Sequence, residues 1–324
     1  MRPAIYFCIA LLVVSGCSSS GADAESGSSP KPSGGVESTT NVAPLPPFEV
    51  TTTSETLVDS SRATNATASQ PEKPSRTLVT TIIYPDAPGP FPLIVFSHGL
   101  TGSPDRHTEL SSAWARQGYV VAMPKFPLTN AANPDAVSSA GDVANQPGDV
   151  SFVIDQMIAA SADEDSPLHG KVMKDRIGVA GHSLGGATTY GVVQNDCCRD
   201  DRIDATIIMS GIMLLDPAGD HLDEMPPVML MHGVADPLLD IAAADKIYPQ
   251  LSAPKWYVRL LVAGHAEAYE NTPSPSDEVV TAATTDFWHA YLPAKAGAPD
   301  PAILDRLRRH AVEEGISTLQ SDPG

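Results

Sequence analysis

The sequence predicts an α/β fold in which helices cover both faces of a mainly parallel central sheet. Three observations indicate this class. Short apolar segments rich in Val and Ile alternate with segments of helical pattern along most of the chain, as in βαβ units. A serine flanked by glycines stands where one such strand passes into a helix. Behind a Ser/Gly/Pro-rich N-terminal region lie roughly 275 residues, which is enough for one large domain.

The strands follow from apolar runs and from alternation. Residues 48–53 and 76–84 are expected to pair, and the second of these segments alternates polar and apolar side chains. The other expected strands are mostly continuous apolar runs, which are typical of buried parallel strands. They cover residues 92–97, 119–123, 177–180, 203–209, 228–231 and 256–262.

Helices are expected between these strands, at residues 104–117, 149–160, 187–193, 241–248 and 277–291. Gly118 should end the first helix, because glycine readily adopts the left-handed conformation found there. Asp149 should cap the second helix with its side-chain oxygen.

The N-terminus has the features of an export signal. Arg2 precedes an apolar run at residues 4–14 that is too short to span a bilayer. The run ends at Val14-Ser15-Gly16-Cys17, which resembles the bacterial lipoprotein box. We therefore expect residues 1–17 to form a lipoprotein signal peptide, with Cys17 lipidated and the protein anchored on the extracytoplasmic side of the cell membrane. Secretion after cleavage at Ala22-Asp23-Ala24 is the alternative.

Three further segments complete the expected organisation. Residues 18–47 are rich in Ser, Gly, Pro and Thr, a composition typical of a flexible tether. Residues 48–293 should form the α/β domain. Residues 294–324 form a C-terminal extension, with a charged helical segment at 302–314, that either docks on the domain or stays mobile.

Composition excludes several partners. The net charge of −19 and the isoelectric point near 4.6 argue against nucleic acid, which requires a basic surface, and disfavour polyanionic substrates. No Cys/His spacing is typical of zinc, and we expect a monomer with neither metal nor cofactor. Cys197 and Cys198 are expected to be reduced, because neighbouring Cα atoms lie about 3.8 Å apart, less than in most disulfides. A disulfide between these neighbours is the alternative.

Ser183 is the candidate nucleophile. The segment Gly181-His182-Ser183-Leu184-Gly185 fits the pattern G-x-S-x-G, which places a serine at the tip of a sharp turn between strand and helix. An inert glycine-rich turn is the alternative. The flanking apolar strand and small-residue helix favour the nucleophile.

The candidate acid and base are Asp236 and His265. Each follows the end of a later apolar strand, in "MLMHGVADPLL" and "WYVRLLVAGHAEAY", and the order Ser, Asp, His is the one that this turn predicts. Asp240 and Asp245, in or near the following helix, are rivals to Asp236. His182 and His232 are expected to support turns. The remaining histidines, His107, His169, His221, His289 and His310, are expected in solvated or capping roles.

Two backbone N–H groups are expected to form an oxyanion hole. The segment "VFSHGLTGSPD" leaves a buried strand through a small turn, whose Leu100 N–H should point at the developing oxyanion. Leu184, the residue after the nucleophile, should supply the second N–H. Thr101 is the alternative for the first position.

These motifs resemble those of serine α/β-hydrolases. The chain is similar to the group of dienelactone hydrolase-like and platelet-activating-factor acetylhydrolase-like proteins, and to chlorophyllases and cutinase-type polyester hydrolases, in "PLIVFSHGLTG", "DRIGVAGHSLGGATT", "MLMHGVADPLL" and "VAGHAEAY". The resemblance implies an α/β-hydrolase fold and ester hydrolysis through an acyl-enzyme, with catalytic roles for Ser183, Asp236 and His265. It also implies oxyanion roles for the N–H groups of Leu100 and Leu184.

Two departures from these relatives argue against dienelactones and polyesters, and the expected substrates are small uncharged esters of short to medium chain. The nucleophile is serine, whereas true dienelactone hydrolases use cysteine, and Leu100 stands where polyester hydrolases usually have an aromatic residue. Loops at 124–148 and 211–226 should rim the pocket. The residues expected to line this pocket, apolar except for one threonine, are Thr101, Phe126, Leu128 and Met213. Ordinary core packing of these side chains is the alternative.

Other functions remain as alternatives. Within enzymes these are a polyester hydrolase, a phospholipid acetylhydrolase, and a peptidase or acyltransferase with the same three side chains. Outside enzymes, a silent surface lipoprotein could use this scaffold to bind a lipid or a partner.

Overall fold

The computed structural model describes residues 47–214 and 219–324. The expected signal peptide at residues 1–17, its Cys17 and all but the last residue of the expected tether at 18–47 lie outside the described residues. Within the described ranges, no helix combines the length and the apolar character that crossing a membrane requires.

Nine strands in the described part of the chain form one sheet. They are β1 (Val50–Asp59), β2 (Arg76–Pro85), β3 (Phe91–Ser97), β4 (Val120–Lys125), β5 (Val172–His182), β6 (Ile203–Met209), β7 (Val228–Gly233), β8 (Lys255–Leu260) and β9 (Ser317–Asp322). Their order across the sheet is β1-β2-β4-β3-β5-β6-β7-β8-β9. The central strands from β4 to β8 run parallel, whereas β1, β2 and β9 pair antiparallel with their neighbours. The expected, mainly parallel sheet is therefore confirmed.

Helices cover both faces of this sheet. They are α1 (Thr108–Arg116), α2 (Gln146–Ala162), α3 (Leu184–Gln194), α4 (Ala242–Ile247), α5 (Asp277–Tyr291) and α6 (Pro301–His310). Alternate side chains of β3 enter different hydrophobic clusters, Leu93 and Val95 in one and Ile94 and Phe96 in the other. The first cluster includes buried side chains of α2, α3 and α4, and the second includes those of α1, α5 and α6. The α/β class follows directly from these two layers.

The start of α2 differs from the sequence prediction. The helix begins at Gln146 with Pro147 in its first turn, so Asp149 is not its N-cap, and that prediction was wrong. Asp149 is instead buried and accepts hydrogen bonds from Arg76 Nε and Nη2 at 2.7 and 2.6 Å. Arg76 also donates two hydrogen bonds of 2.9 Å to Asp142. One guanidinium from β2 thus joins α2 to the loop that precedes it.

The C-terminal residues belong to the same sheet. In α6, Leu307 is fully buried in the cluster that also contains side chains of α5, and β9 pairs antiparallel with β8 from Lys255–Asp322 to Leu260–Ser317. The extension at 294–324 is therefore docked, and the boundary expected at residue 293 does not separate a structural unit. The polar sequence of β9 lacks an apolar pattern. It forms a strand because β8 would otherwise leave an unpaired edge.

Cys197 and Cys198 are joined in a disulfide. The expectation of two reduced thiols was therefore wrong, and the alternative is what the structure shows. Both residues lie in a turn after α3, in which the N–H of Cys198 donates to the carbonyl oxygen of Asn195 at 3.1 Å. The Cα–Cα distance between neighbouring residues does not exclude a disulfide here, because the two sulfur atoms can meet within one tight turn.

Candidate active site

Ser183 occupies a sharp turn between β5 and α3. Its φ of 57° and ψ of −119° are rarely adopted by residues other than glycine. Its N–H donates to the carbonyl oxygen of Met209 at 2.9 Å, which fixes the turn against the end of β6. A Cβ atom at Gly185 would lie only 2.0 Å from the carbonyl oxygen of Ser97. Glycine at this position therefore allows α3 to begin directly against β3.

The structure brings Ser183, His265 and Asp236 together in one hydrogen-bonded chain. Ser183 Oγ lies 2.7 Å from His265 Nε2, and His265 Nδ1 lies 2.7 Å from Asp236 Oδ2. Because Nδ1 faces a carboxylate, it carries the proton, and Nε2 accepts from the serine hydroxyl. The Asp236 side chain is fully buried and that of His265 is 11% exposed, so only the serine end of this chain is open to a substrate.

Asp236 is held as a carboxylate in the loop after β7. Its Oδ1 accepts hydrogen bonds from the backbone N–H groups of Leu238 and Leu239, both at 2.9 Å. Burial by itself would raise the pKa of this carboxyl. The hydrogen bonds from Leu239, His265 and Leu238 outweigh burial, and the pKa of Asp236 lies below its ordinary value. The group is therefore ionised at neutral pH.

Two supporting histidines hold the loops of this site. His232 Nε2 donates to the carbonyl oxygen of Leu239 at 2.8 Å, and thereby fixes the turn that carries Asp236. His182 Nε2 donates to the carbonyl oxygen of His265 at 2.7 Å. Both histidines support turns, as the sequence predicted.

Asp240 does not compete with Asp236. Its Oδ1 accepts from the N–H of Ala242 at 2.9 Å at the start of α4, so this carboxylate serves the helix. In the loop after β8, Glu267 accepts a hydrogen bond from the N–H of Gly264, next to His265. Glu267 was not singled out from the sequence, since its role depends on the shape of the turn.

The two candidate N–H groups in the turn after β3 differ in their hydrogen bonding. The Thr101 N–H donates to the carbonyl oxygen of Thr129 at 2.8 Å, which removes Thr101 as an oxyanion donor. The Leu100 N–H pairs with no acceptor among the described residues. Leu184 is the first residue of α3, where an N–H has no partner within the helix. Both expected donors are thus free to bind an oxyanion.

His98 fixes this turn and was missed at the sequence level. Its Nδ1 donates to the carbonyl oxygen of Gly99 at 2.8 Å, and its Nε2 accepts from the N–H of Phe126 at 3.1 Å. Burial lowers the pKa of His98 to about 4, so the ring is neutral at physiological pH. A His-Gly pair after a buried strand was the available signal.

Two of the expected pocket residues are core residues instead. Phe126 and Leu128 are 0% and 2% exposed, so they cannot line an open pocket, and that prediction was wrong. Both follow β4 directly and turn inward, Phe126 against the ring of His98. Thr101 is exposed and Met213 is half-buried, so both remain accessible.

His107 was expected to be solvated or to cap a helix. It is the N-cap residue of α1, but its side chain makes no capping hydrogen bond and is not solvated. The side chain is fully buried at the end of a 3-10 turn, Pro104–His107, beside the ring of His182. Exposed or half-buried positions are found for the other four histidines in that group, His169, His221, His289 and His310.

A strand–serine–helix turn on this sheet, followed along the chain by an aspartate and a histidine at the ends of later strands, defines an α/β-hydrolase. The sequence model named Chlorophyllase matches residues 49–235. The chain therefore belongs to the chlorophyllase family of α/β-hydrolases, which places it among ester hydrolases. The match includes Ser183 and ends just before Asp236, so the acid and the base rest on geometry. A comparison with curated proteins gave no match.

Proposed function

We propose that this protein is a serine esterase that cleaves carboxylic esters through an acyl-enzyme, with Ser183 as nucleophile, His265 as base and Asp236 as its partner. The observation that carries the proposal is the pair of 2.7 Å contacts that links these three side chains. A silent binding protein would have no need for a strained serine hydrogen-bonded to a histidine that is in turn hydrogen-bonded to a buried carboxylate.

The reaction follows from this arrangement. Ser183 Oγ attacks the ester carbonyl carbon while its proton passes to His265 Nε2, and Asp236 stabilises the resulting imidazolium. The N–H groups of Leu100 and Leu184 bind the negative oxygen of the tetrahedral intermediate. The intermediate expels the alcohol, which takes the proton from His265 and leaves an acyl-serine. Water then attacks the acyl group, its proton passes through His265 to Ser183 Oγ, and the carboxylic acid leaves.

Small uncharged esters with an apolar group suit this site best. The loops that carry Asp236 and His265 expose apolar side chains, with Leu238 72%, Val262 48% and Val234 45% accessible. An apolar acyl or alcohol group that covered them would be favoured by the removal of this surface from water. The net charge of −19 opposes the entry of anionic substrates.

Acyl-chain length provides the test of this substrate class. With p-nitrophenyl esters from acetate to palmitate, kcat/KM should be highest for short to medium chains and low for palmitate. EDTA should leave kcat unchanged well below the melting temperature, because the proposed steps require no metal. The comparison panel consists of chlorophyll, to which the family name refers, a phospholipid with an acetyl group, and a polyester film. Highest activity on palmitate or on any of these three would contradict the proposed class.

We also propose that Cys17 is lipidated and anchors the esterase on the extracytoplasmic side of the cell membrane. The support is the lipoprotein-box-like end of the apolar run and the Ser/Gly/Pro-rich segment behind it. A lipid at Cys17 would leave the catalytic domain in solution at the end of the tether.

Replacement of the lipidation site tests the anchor. In a bacterial host that processes lipoproteins, the wild-type chain should be found with the membranes, and Cys17→Ala should be lost from that fraction. Cys8→Ala, which changes the other cysteine of the N-terminal region, is the matched control and should remain with the membranes. Unchanged membrane association of Cys17→Ala would refute the anchor, and a mature N-terminus at Glu25 would favour secretion.

A further inference from the structure

Two buried histidines beside the active site each carry a nitrogen without a partner among the described residues. His107 Nδ1 lies 2.8 Å from the carbonyl oxygen of Tyr269, and His182 Nε2 lies 2.7 Å from that of His265. A carbonyl oxygen only accepts, so these two nitrogens carry the protons. The other nitrogens, His107 Nε2 and His182 Nδ1, therefore hold lone pairs, and both are buried without a hydrogen-bond partner.

Neither of these two nitrogens is in contact with bulk water. The His107 and His182 side chains are almost completely buried, with residue exposures of 0% and 3%. Both lone pairs are therefore available to a ligand that enters the site.

A carboxylate lies beside these lone pairs. Glu270 offers an oxygen, and the three candidate ligand atoms of His107, His182 and Glu270 all lie within 4.8 Å of one another. Glu270 forms a long ion pair of 3.6 Å with Arg106 Nη1, and the Arg106 side chain is 46% exposed. This arginine can move into solvent if a cation binds.

We propose that His107, His182 and Glu270 form a zinc site. Two imidazole nitrogens and one carboxylate oxygen are ligands that Zn²⁺ prefers, with water as the fourth ligand, whereas Ca²⁺ and Mg²⁺ prefer oxygen alone. Each imidazole already donates its other N–H to a backbone carbonyl oxygen, the arrangement that orients metal-bound histidines. Ligands of tetrahedral zinc lie about 3.4 Å apart, so binding draws the three side chains together.

The position of the site gives zinc a structural role. Its ligands come from the segment after the oxyanion turn, from the residue before Ser183, and from the loop that carries His265. The hydrogen bonds of the two imidazoles end on His265 and Tyr269 of that same loop. Bound zinc would therefore tie these three segments together and raise the stability of the fold, without contacting the substrate or taking part in the reaction. This proposal departs from the expectation of a protein without metal, which rested on the spacing of Cys and His residues along the chain.

Zinc titration of the EDTA-treated, full-length protein tests the site. Calorimetry should show one equivalent bound, and zinc should raise the melting temperature. Co²⁺ as a spectroscopic probe should give the intense visible bands of a four-coordinate site. In Glu270→Gln, zinc affinity should fall by at least about tenfold, since even the loss of a group that only orients a ligand costs that much. In His107→Phe the bound equivalent should disappear.

The control is a histidine–carboxylate group at the surface. His221 lies 2.7 Å from Asp196 and 3.6 Å from Glu224, so it could bind zinc adventitiously. His221→Ala should keep the bound equivalent. The proposal would be overturned if the wild-type protein did not bind zinc, or if His221→Ala lost the bound equivalent. It would also be overturned if Glu270→Gln bound zinc as tightly as wild type. Glu270→Gln decides the matter if His107→Phe does not fold. All these readouts are independent of ester hydrolysis.

Discussion

The variant Ser183→Ala should hydrolyse a soluble ester with a kcat about 10⁴- to 10⁶-fold below that of wild type, and His265→Ala should lose about as much. Without Oγ there is no nucleophile, and without the imidazole nothing takes the serine proton at the 2.7 Å contact. The double variant should be hardly slower than either single variant, because the groups act as a unit. Steady-state kinetics measures this, and circular dichroism verifies the fold.

Substitutions at two aspartates, Asp236 and Asp240, test the assignment of Asp236 as the acid. Asp236→Asn should lower kcat about 10⁴-fold by favouring the wrong imidazole tautomer, whereas Asp240→Asn should change it little, since Asp240 bonds to the start of α4. Near-wild-type activity of Asp236→Asn would show that the acid is misassigned.

A fluorophosphonate should modify wild-type Ser183. If Ser183 stays unmodified, the protein is a silent scaffold and not a serine esterase.

Replacing Arg76 by methionine should lower the free energy of unfolding by about 3–5 kcal/mol, the usual effect of removing one partner from a buried ion pair. The guanidinium bonds to Asp142 and Asp149, and all three side chains are at most 1% exposed. Removal leaves Asp142 without its cation. Asp149 keeps only Arg62, at 2.8 Å, whose side chain is 30% exposed. Chemical denaturation of the wild type and the variant measures the difference.

Two controls identify the cause of this loss. Arg76→Met combined with Asp142→Asn and Asp149→Asn should recover part of the stability, because no uncompensated charge is then buried. The deficit of Arg76→Met alone should shrink as the pH falls, since a carboxyl that has lost its cation takes up a proton more readily when folded than when unfolded. A deficit that is independent of pH and unrelieved by the triple variant would mean that lost packing, and not charge, is responsible.

Local patterns were sufficient for most elements of the fold. The segment 203–209 coincides with β6 and the segment 277–291 coincides with α5, because an apolar run or a helical period can be recognised within a few residues. The order of Ser183, Asp236 and His265 along the chain likewise anticipated which side chains meet, since the carboxyl ends of parallel strands share one edge of a sheet.

The sequence predictions that were wrong or incomplete depended on contacts between segments that are distant along the chain. Phe126 and Leu128 follow a strand, as pocket residues do, yet they are buried in the core. Asp149 has the residue type of a cap but lies inside α2, against Arg76. The docking of β9 has no local signal, since the strand is polar and forms on an edge that only the folded sheet provides.

By itself, the sequence determined the α/β class, the turn at Ser183 and the candidate acid and base, because each depends on residue types within a short window. Only the tertiary structure decided that Arg76 meets two buried aspartates, that Thr101 has no free N–H, and that Glu270 lies beside two buried histidines. The physical reason is that hydrogen bonding and burial depend on which distant segments the fold brings together. Residue type and spacing leave that choice open.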